Sequence, residues 1–286
     1  MLVQRVITAI VLLAVLLGAL VAPSPWPLVA LLTLAAACAL WEWLRLTWPR
    51  RSSPIPVVAA LLLAILMGFV AMQWLTPAAA DWAGSLQIIL NRWLMPLAAM
   101  IWLIGATGMV VRGNASAKPG SVALSGFGIL AIVTVWAALV QLYLRHGAWF
   151  LVSLLALIWF ADIAAYFSGK AFGKRKLAPK VSPGKTWEGA LGGVIAATLW
   201  VVLSSYWQGS FGAVLKEHWS WPVVVVIVVL LAALSIVGDL FESLLKRRAG
   251  VKDSSQLLPG HGGVYDRIDA LLPVAPIALL LTGVWF

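Results

Sequence analysis

Charged residues are scarce in this chain, and their scarcity excludes a soluble fold. Only 10% of the 286 residues are charged, whereas 63% are hydrophobic. The mean hydropathy of +1.00 lies far outside the range of soluble globular proteins. The lipid bilayer is therefore the expected solvent for most of the chain.

Cysteine and histidine are also nearly absent, which limits the disulfides and metal sites that the chain can form. Cys38 is the single cysteine, so a disulfide framework and a cysteine-rich metal site are both excluded. The three histidines include no His-Glu-x-x-His pattern and are too few for a histidine-rich zinc site. No basic soluble domain accompanies the net charge of +10, so we expect membrane lipid and an anionic nucleotide as partners, and no nucleic acid.

Long apolar stretches dominate what is present. Each can cross about 30 Å of hydrocarbon. They cover roughly residues 6–22, 27–47, 57–75, 93–111, 121–144, 148–168, 187–207, 222–241 and 270–286. We interpret the first stretch as a retained span, because Pro23 and Pro25 stand where a signal peptide would be cleaved. The sequence predicts an all-α, polytopic membrane protein whose residues 1–286 form one membrane domain with nine transmembrane helices.

Basic residues are distributed unevenly between the two sides of these spans. With a cytoplasmic N-terminus, every Lys and Arg falls in a cytoplasmic segment except Arg92, Arg145 and Lys216. Cytoplasmic loops carry such an excess of basic residues. The pattern predicts a cytoplasmic N-terminus and a C-terminus on the outer face.

Acidic residues divide the chain into two unlike halves. Most of the ten lie between Asp162 and Asp269, and the first five predicted spans contain almost none. We therefore expect residues 1–147 to form scaffold and lipid-facing helices, and residues 148–286 to carry the chemistry.

Asp162 lies inside the sixth predicted span. A carboxylate there costs about 2.5–3.5 kcal/mol, so it needs a partner or a water-filled site. Tyr166 follows four residues later and shares its helix face. A carboxylate that pairs with a lysine only to hold helices together is the alternative.

The segment from Ser182 to Glu188 has the composition of an anion site. We predict a Pro-Gly turn that leads into a helix N-terminus carrying Lys185 and Thr186. A nucleotide-binding P-loop is rejected, because position 179 is Pro179 instead of glycine and no strand is expected before it. A simple helix cap is the alternative.

Two further groups of carboxylates are expected at the same membrane face. Asp239, Glu242 and Lys246 share one face as the eighth predicted span ends. Asp266 and Asp269 precede the ninth span. Mg²⁺ takes one or two carboxylates together with substrate phosphates, so the sequence predicts a metal–phosphate site. An ordinary ion pair between Glu242 and Lys246 is the alternative for that glutamate.

The segment between these groups concentrates basic residues, aspartates, a histidine and paired glycines. His261 stands in Pro-Gly-His-Gly-Gly, where we expect it to contact phosphate or donate a hydrogen bond. With these residues in view, the chain resembles the bacterial-type phosphatidate cytidylyltransferases. The matching positions are Ser243, Lys246-Arg247, Lys252-Asp253, Pro259, His261-Gly262-Gly263, Asp266-Arg267 and Asp269. The segments around Asp162-Tyr166 and Ser182–Glu188 resemble the family too, although Gly184 stands where other members often carry a polar or basic residue.

The resemblance implies a Mg²⁺-dependent reaction of CTP with phosphatidate that yields CDP-diacylglycerol and pyrophosphate. It implies a multi-pass protein of the bacterial inner membrane, and it leaves a homodimer and a second cation open. It assigns the metal to Asp239 and Asp266. The other catalytic residues it implies are Lys252, Asp253, His261 and Asp269. The residues it implies for substrate binding are Asp162, Tyr166, Ser182, Lys185, Thr186, Lys246, Arg247 and Arg267.

Two other functions fit part of the pattern. Intramembrane phosphotransferases that use CDP-lipids carry Asp-x-x-Asp-Gly-x-x-Ala-Arg, which this sequence lacks. An ion-coupled transporter would use Asp162 and Asp239 as coupling carboxylates. Transporters usually contain repeated halves, however, and the two halves here differ in charge.

Overall fold

The computed structural model describes residues 2–50, 53–76, 80–118 and 120–282, and helices account for most of them. The first six helices are α1 (Leu2–Val21), α2 (Trp26–Thr47), α3 (Ile55–Leu75), α4 (Asp81–Ile89), α5 (Met95–Met100) and α6 (Thr107–Arg112). The remaining six are α7 (Val122–Phe172), α8 (Trp187–Ser204), α9 (Phe211–His218), α10 (Trp221–Ala249), α11 (Tyr265–Ile268) and α12 (Leu271–Leu281). Two π-helical stretches, Leu90–Leu94 and Ile101–Ala106, join α4, α5 and α6 into one run.

Among the described residues, six helical segments are long and apolar enough to cross a membrane by length and composition. They are α2, α3, the run Asp81–Arg112, α7, α8 and α10, while α1 and α12 contain shorter apolar helices. The prediction of a helical polytopic membrane protein is confirmed. The ninth predicted span, 270–286, extends past the described residues, which end at 282.

Helix α7 contains two of the predicted spans in one run of 51 residues. Gly147 interrupts it with φ 83° and ψ −176°, which glycine adopts readily because it has no Cβ. The predicted spans 121–144 and 148–168 lie on either side of this kink. The second half of α7 carries Asp162 and Tyr166 toward the site.

Small residues allow α7 and α8 to pack closely along the site. A Cβ added to Gly189 would lie 2.7 Å from the Ala165 carbonyl oxygen, and one added to Gly193 would lie 2.7 Å from that of Ala161. Membrane helices approach one another through such small residues. The contact fixes the start of α8 beside the helix face that bears Asp162.

A two-stranded hairpin connects α7 to α8 and corrects one prediction. Strand β1 (Lys176–Ala178) pairs antiparallel with β2 (Ser182–Thr186), so Ser182 to Gly184 form a strand and not the predicted turn. The chain turns at residues 179–181 instead, where the Val181 amide donates to the Ala178 carbonyl at 3.1 Å. The expectation that no strand precedes Lys185 was therefore wrong, although Pro179 still excludes a P-loop.

Helix α8 begins where the sequence predicted a helix N-terminus. The Thr186 hydroxyl caps it by accepting a hydrogen bond from the Gly189 amide at 3.1 Å. The Glu188 carboxylate accepts from the amides of Lys174 and Arg175 at 3.1 and 3.2 Å. These bonds tie the end of α7 to the start of α8.

An aromatic cluster joins the two halves of the chain beneath the site. The Trp43 ring contacts the rings of Tyr265 and Phe241 at centroid distances of 5.1 and 5.6 Å. Trp102 and Phe127 complete the cluster. All five side chains are buried, so α2 is fixed against α10 and α11.

Candidate active site

Three adjoining cavities form the candidate site. The first, which we call the groove, has a volume of about 440 Å³. The second, the central cavity, has about 470 Å³ and shares Asp162 and Asp239 with the groove. The third, the loop cavity, has about 770 Å³ and shares Asp253 and Arg267 with the central cavity. The shared residues place the three cavities next to one another along the ends of α7 and α10.

The groove lies between α7, α8, α10 and the hairpin. Asp162, Tyr166, Ser182, Lys185 and Thr186 line it together with many small and apolar residues. The predicted shared face of Asp162 and Tyr166 is confirmed. The Thr186 hydroxyl already accepts a hydrogen bond from the Gly189 amide at the start of α8. For this residue the structure therefore favours the helix-cap alternative.

Lys185 connects the groove to the central cavity. Its Nζ forms a salt bridge with Oδ2 of Asp239 on α10. Asp162 forms no salt bridge among the described residues, and therefore the alternative of a lysine-paired structural carboxylate at that position finds no support. Both carboxylates face the shared space instead.

The central cavity gathers the carboxylates of the second half. Asp239, Glu242 and Asp269 each offer an oxygen, and these oxygens lie within 4.8 Å of one another. The close approach depends on Gly238, because an added Cβ there would lie 2.4 Å from the Asp269 carbonyl oxygen. Carboxylates held this close repel one another when ionised, and the ammonium groups of Lys185 and Lys246 offset part of this repulsion. Oxygen ligands at this spacing fit a hard divalent cation.

Lys246 links this group to Asp266. Its Nζ lies 2.7 Å from Oε2 of Glu242 and 2.8 Å from Oδ1 of Asp266. The predicted i,i+4 ion pair of Glu242 is confirmed, and it extends to a third residue. Asp266 lines the central cavity but stands outside the close carboxylate group.

The carboxylate of Asp266 accepts hydrogen bonds from the loop between α10 and α11, residues 250–264, which we call the loop. It accepts from the Gly263 amide at 2.7 Å and from the Ser254 amide at 3.1 Å. Burial alone would raise its pKa, but hydrogen bonds donated by Lys246 and the Gly263 amide hold the pKa of Asp266 well below its usual range. Asp266 is thus an ionised anchor of the loop.

The loop cavity is lined by the segment that carries the predicted Lys252, Asp253 and His261. Lys252 and Asp253 are exposed there and form no salt bridge among the described residues. The His261 carbonyl accepts from the Arg267 guanidinium at 2.7 Å, which holds Arg267 between two cavities. The His261 Nδ1 is buried and has no hydrogen-bond partner among the described residues.

One predicted residue lies apart from the three cavities. The Arg247 guanidinium points to the hairpin turn, where its Nε donates to the Val181 carbonyl at 3.4 Å. Arg247 is absent from the lining of all three cavities, so its predicted role in substrate binding stays a prediction.

Glu42 was missed by the sequence analysis. It lies on α2 with its side chain fully buried, and it contacts the loop that precedes α11. A carboxylate inside a predicted span was the signal that identified Asp162, and the same signal was present at Glu42.

Comparison with known proteins is consistent with this geometry. The model of the family described as "Cytidylyltransferase family" matches residues 3–285. A Pseudomonas aeruginosa protein named phosphatidate cytidylyltransferase is 38% identical and covers 100% of this chain and 99% of its own length. A Haemophilus influenzae protein with the same name is 36% identical over 96% of both chains. A Brucella suis protein, also so named, is 45% identical over 47% of both chains.

Proposed function

Because this chain belongs to the cytidylyltransferase family, we propose that it transfers the cytidylyl group of CTP to phosphatidate, with CDP-diacylglycerol and pyrophosphate as products. The observation that carries this proposal is that the groove adjoins two polar cavities through shared lining residues. A membrane-anchored substrate and a water-soluble one must meet, and this space has an apolar part and a charged part.

The groove suits the lipid substrate. Leu177, Ile236 and the small residues of α7 and α8 line it, while Lys185 stands at its junction with the central cavity. A lipid phosphate at this junction would meet the Lys185 ammonium. In that position Lys185 would exchange its contact with Asp239 for one with phosphate.

The loop cavity suits the nucleotide. Lys252 and Arg267 supply positive charge there, and Gly260 and Gly262 leave backbone accessible for close approach. Lys246 lines the central cavity, where the α-phosphate of a nucleotide in the loop cavity would meet the lipid phosphate.

The reaction needs charge neutralisation more than proton transfer. A phosphate oxygen of phosphatidate attacks the α-phosphorus of CTP, and the bond to the β-phosphate oxygen breaks to release pyrophosphate. Lys185 and Lys246 would hold the two phosphates in line despite their repulsion. Arg267 would stabilise charge on the departing pyrophosphate.

The close carboxylate group fits Mg²⁺. Asp239, Glu242 and Asp269 would hold the ion, which supplies Lewis-acid stabilisation to phosphate oxygens when bound. Asp266, the second ligand expected from the resemblance, already accepts from Lys246 and two backbone amides. Its direct metal contact stays a prediction, as does a second cation.

The membrane arrangement is part of the proposal. Nine spans with a cytoplasmic N-terminus would place the three cavities at the cytoplasmic face of a bacterial inner membrane, where CTP is available. A periplasm-specific reporter fused after Phe286, which lies outside the described residues, should be active. Activity of a cytoplasmic reporter there would instead mean that one span is miscounted. A homodimer stays a prediction.

The test of the proposed function is direct. Membranes that contain the protein should convert labelled CTP and phosphatidate, with Mg²⁺, into a chloroform-soluble CDP-lipid and pyrophosphate. A CDP-lipid phosphotransferase would need CDP-diacylglycerol as substrate, and a transporter would form no labelled lipid. Absence of labelled lipid from folded, purified protein in phosphatidate micelles would overturn the proposal.

A further inference from the structure

Glu42 reaches from the N-terminal half of the chain into the loop of the candidate site. Its side chain has 0% exposure. Oε1 accepts from the Ser255 hydroxyl and from the Val264 amide at 3.0 Å, and Oε2 accepts from the Tyr265 amide at 2.5 Å. Three donors thus meet two oxygens, which is the pattern an ionised carboxylate requires.

The donors belong to two arms of the same loop. One arm contains Ser254 and Ser255, and the other runs from Gly263 to Tyr265. Asp266 bridges the same two arms through the amides of Ser254 and Gly263. The loop is therefore held by two carboxylates, one from α2 and one from α11.

The paired glycines of the loop mark how closely these carboxylates approach. A Cβ added to Gly263 would lie 2.4 Å from Oε1 of Glu42 and 2.0 Å from the Ser254 hydroxyl. A Cβ added to Gly262, whose φ is 81°, would lie 2.6 Å from Oδ2 of Asp266. The two glycines thus leave room for carboxylates of the protein itself.

No basic side chain neutralises Glu42 among the residues that the structure describes. Its hydrogen bonds all go to the loop, and its neighbour Trp43 packs on Tyr265. Removing the carboxylate would leave two backbone amides and a hydroxyl without acceptors in a buried place. The loop would then lose its register against α10.

We propose that Glu42 is a positioning residue that fixes the two arms of this loop, so that Asp266 and Asp269 face the central cavity. The link to catalysis rests on the proposed function, whereas the link to loop geometry does not. Glu42 itself lines none of the three cavities, and it contacts the lining of the loop cavity only through the Ser255 hydroxyl, among the residues that the structure describes.

Hydrogen exchange of the full-length protein in detergent tests the loop geometry without substrate or metal. In Glu42→Gln, amides of residues 254–266 should exchange about tenfold faster or more, because charge-assisted hydrogen bonds that resist local opening are lost. Ser255→Ala removes one of the three donors and should accelerate exchange less. The matched control is Thr47→Val on the same helix, whose buried hydroxyl bonds to Trp43 and Ser125 and makes no contact with the loop among the described residues. It should leave exchange in 254–266 unchanged.

Kinetics of the same variants test the link to catalysis. Glu42→Gln should lower kcat and raise several-fold the Mg²⁺ midpoint, the Mg²⁺ concentration that gives half-maximal activity. The KM for phosphatidate should stay the same, because the groove is intact. A purely structural role would reduce the amount of active protein and leave the Mg²⁺ midpoint unmoved.

Wild-type exchange in 254–266 of folded Glu42→Gln would overturn the inference. If that variant fails to fold, wild-type exchange in Ser255→Ala would overturn it equally. A wild-type protein that makes no CDP-lipid would refute the proposed function, yet the exchange result would still decide the role of Glu42 in the loop.

Discussion

Glu42 in the first half of the chain and three aspartates in the second half have opposite surroundings. Glu42, in the first half, is sealed among three hydrogen-bond donors and faces no cavity. Asp162, Asp239 and Asp253, in the second half, open onto shared cavities. The comparison shows that a saturated carboxylate in this membrane protein builds the fold, whereas one that opens onto a cavity is available to a ligand.

One helix from each half illustrates a related difference. Leu61, Leu62 and Ile65 of α3 are exposed large hydrophobic residues, as expected of a helix that faces lipid. The second half of α7 instead turns Asp162 and Tyr166 to the groove. Glu42 qualifies the division into scaffold and catalytic halves, because scaffold helix α2 directly holds the loop of the site.

The largest effect should follow from removing a carboxylate that opens onto the cavity. Asp239→Asn and Asp269→Asn each take an anionic oxygen from the close group, so turnover should fall about 100-fold or more, roughly 3 kcal/mol of transition-state stabilisation. The double variant should be little worse than either single one, because groups that act as a unit are not additive. Initial rates of CDP-lipid formation against Mg²⁺ concentration measure this.

Asp81→Asn is the matched control for those variants. Asp81 is exposed in the first turn of α4, away from the three cavities, so its loss should leave the rate unchanged. Full activity in a folded Asp239→Asn variant would break the comparison between the two kinds of carboxylate.

A smaller effect is expected at the junction of the groove and the central cavity. Lys185→Ala should weaken substrate binding and lower kcat/KM, since the ammonium that contacts Asp239 and would contact a bound phosphate is lost. Lys185→Arg should restore part of the activity, because a planar guanidinium places its charge differently from a compact ammonium.

Lys176→Ala on the same hairpin supplies the control for charge alone. Lys176 is exposed on β1 and lines none of the three cavities. Substrate titrations of Lys176→Ala should give the wild-type kcat/KM. Equal losses of kcat/KM in the Lys176 and Lys185 variants would mean that the hairpin contributes only general positive charge.

The smallest effect concerns stability at the boundary between the halves. Gly263→Ala forces a Cβ against Glu42 and Ser254, so overpacking should cost about 1–3 kcal/mol of unfolding free energy. Gly126→Ala in α7 meets no atom within 4 Å and should be neutral or slightly stabilising. Thermal unfolding in detergent compares the two, and equal midpoints would contradict the close approach of Glu42 to the loop.

Local signals in the sequence predicted much of this molecule. Hydropathy predicted the helical membrane fold, and helical spacing predicted the shared face of Asp162 and Tyr166. The turn at Ser182 was misassigned because antiparallel pairing with residues 176–178 overrides the turn propensity of Pro-Gly.

Contacts between distant segments could not be predicted in this way. Asp269 joins Asp239 and Glu242 only because Gly238 lets α10 approach the Asp269 backbone. Glu42 finds its donors more than 200 residues later, at Val264 and Tyr265. Neither contact has a periodicity or a spacing that reveals it.

The central claim is that the close group of Asp239, Glu242 and Asp269 binds a divalent cation. Titration of the purified protein with Mn²⁺, followed by electron paramagnetic resonance without substrates, tests it most directly. We expect a bound ion in the wild-type protein and in Asp81→Asn, and its loss in Asp269→Asn. Equal Mn²⁺ binding by the wild-type protein and Asp269→Asn would contradict the account.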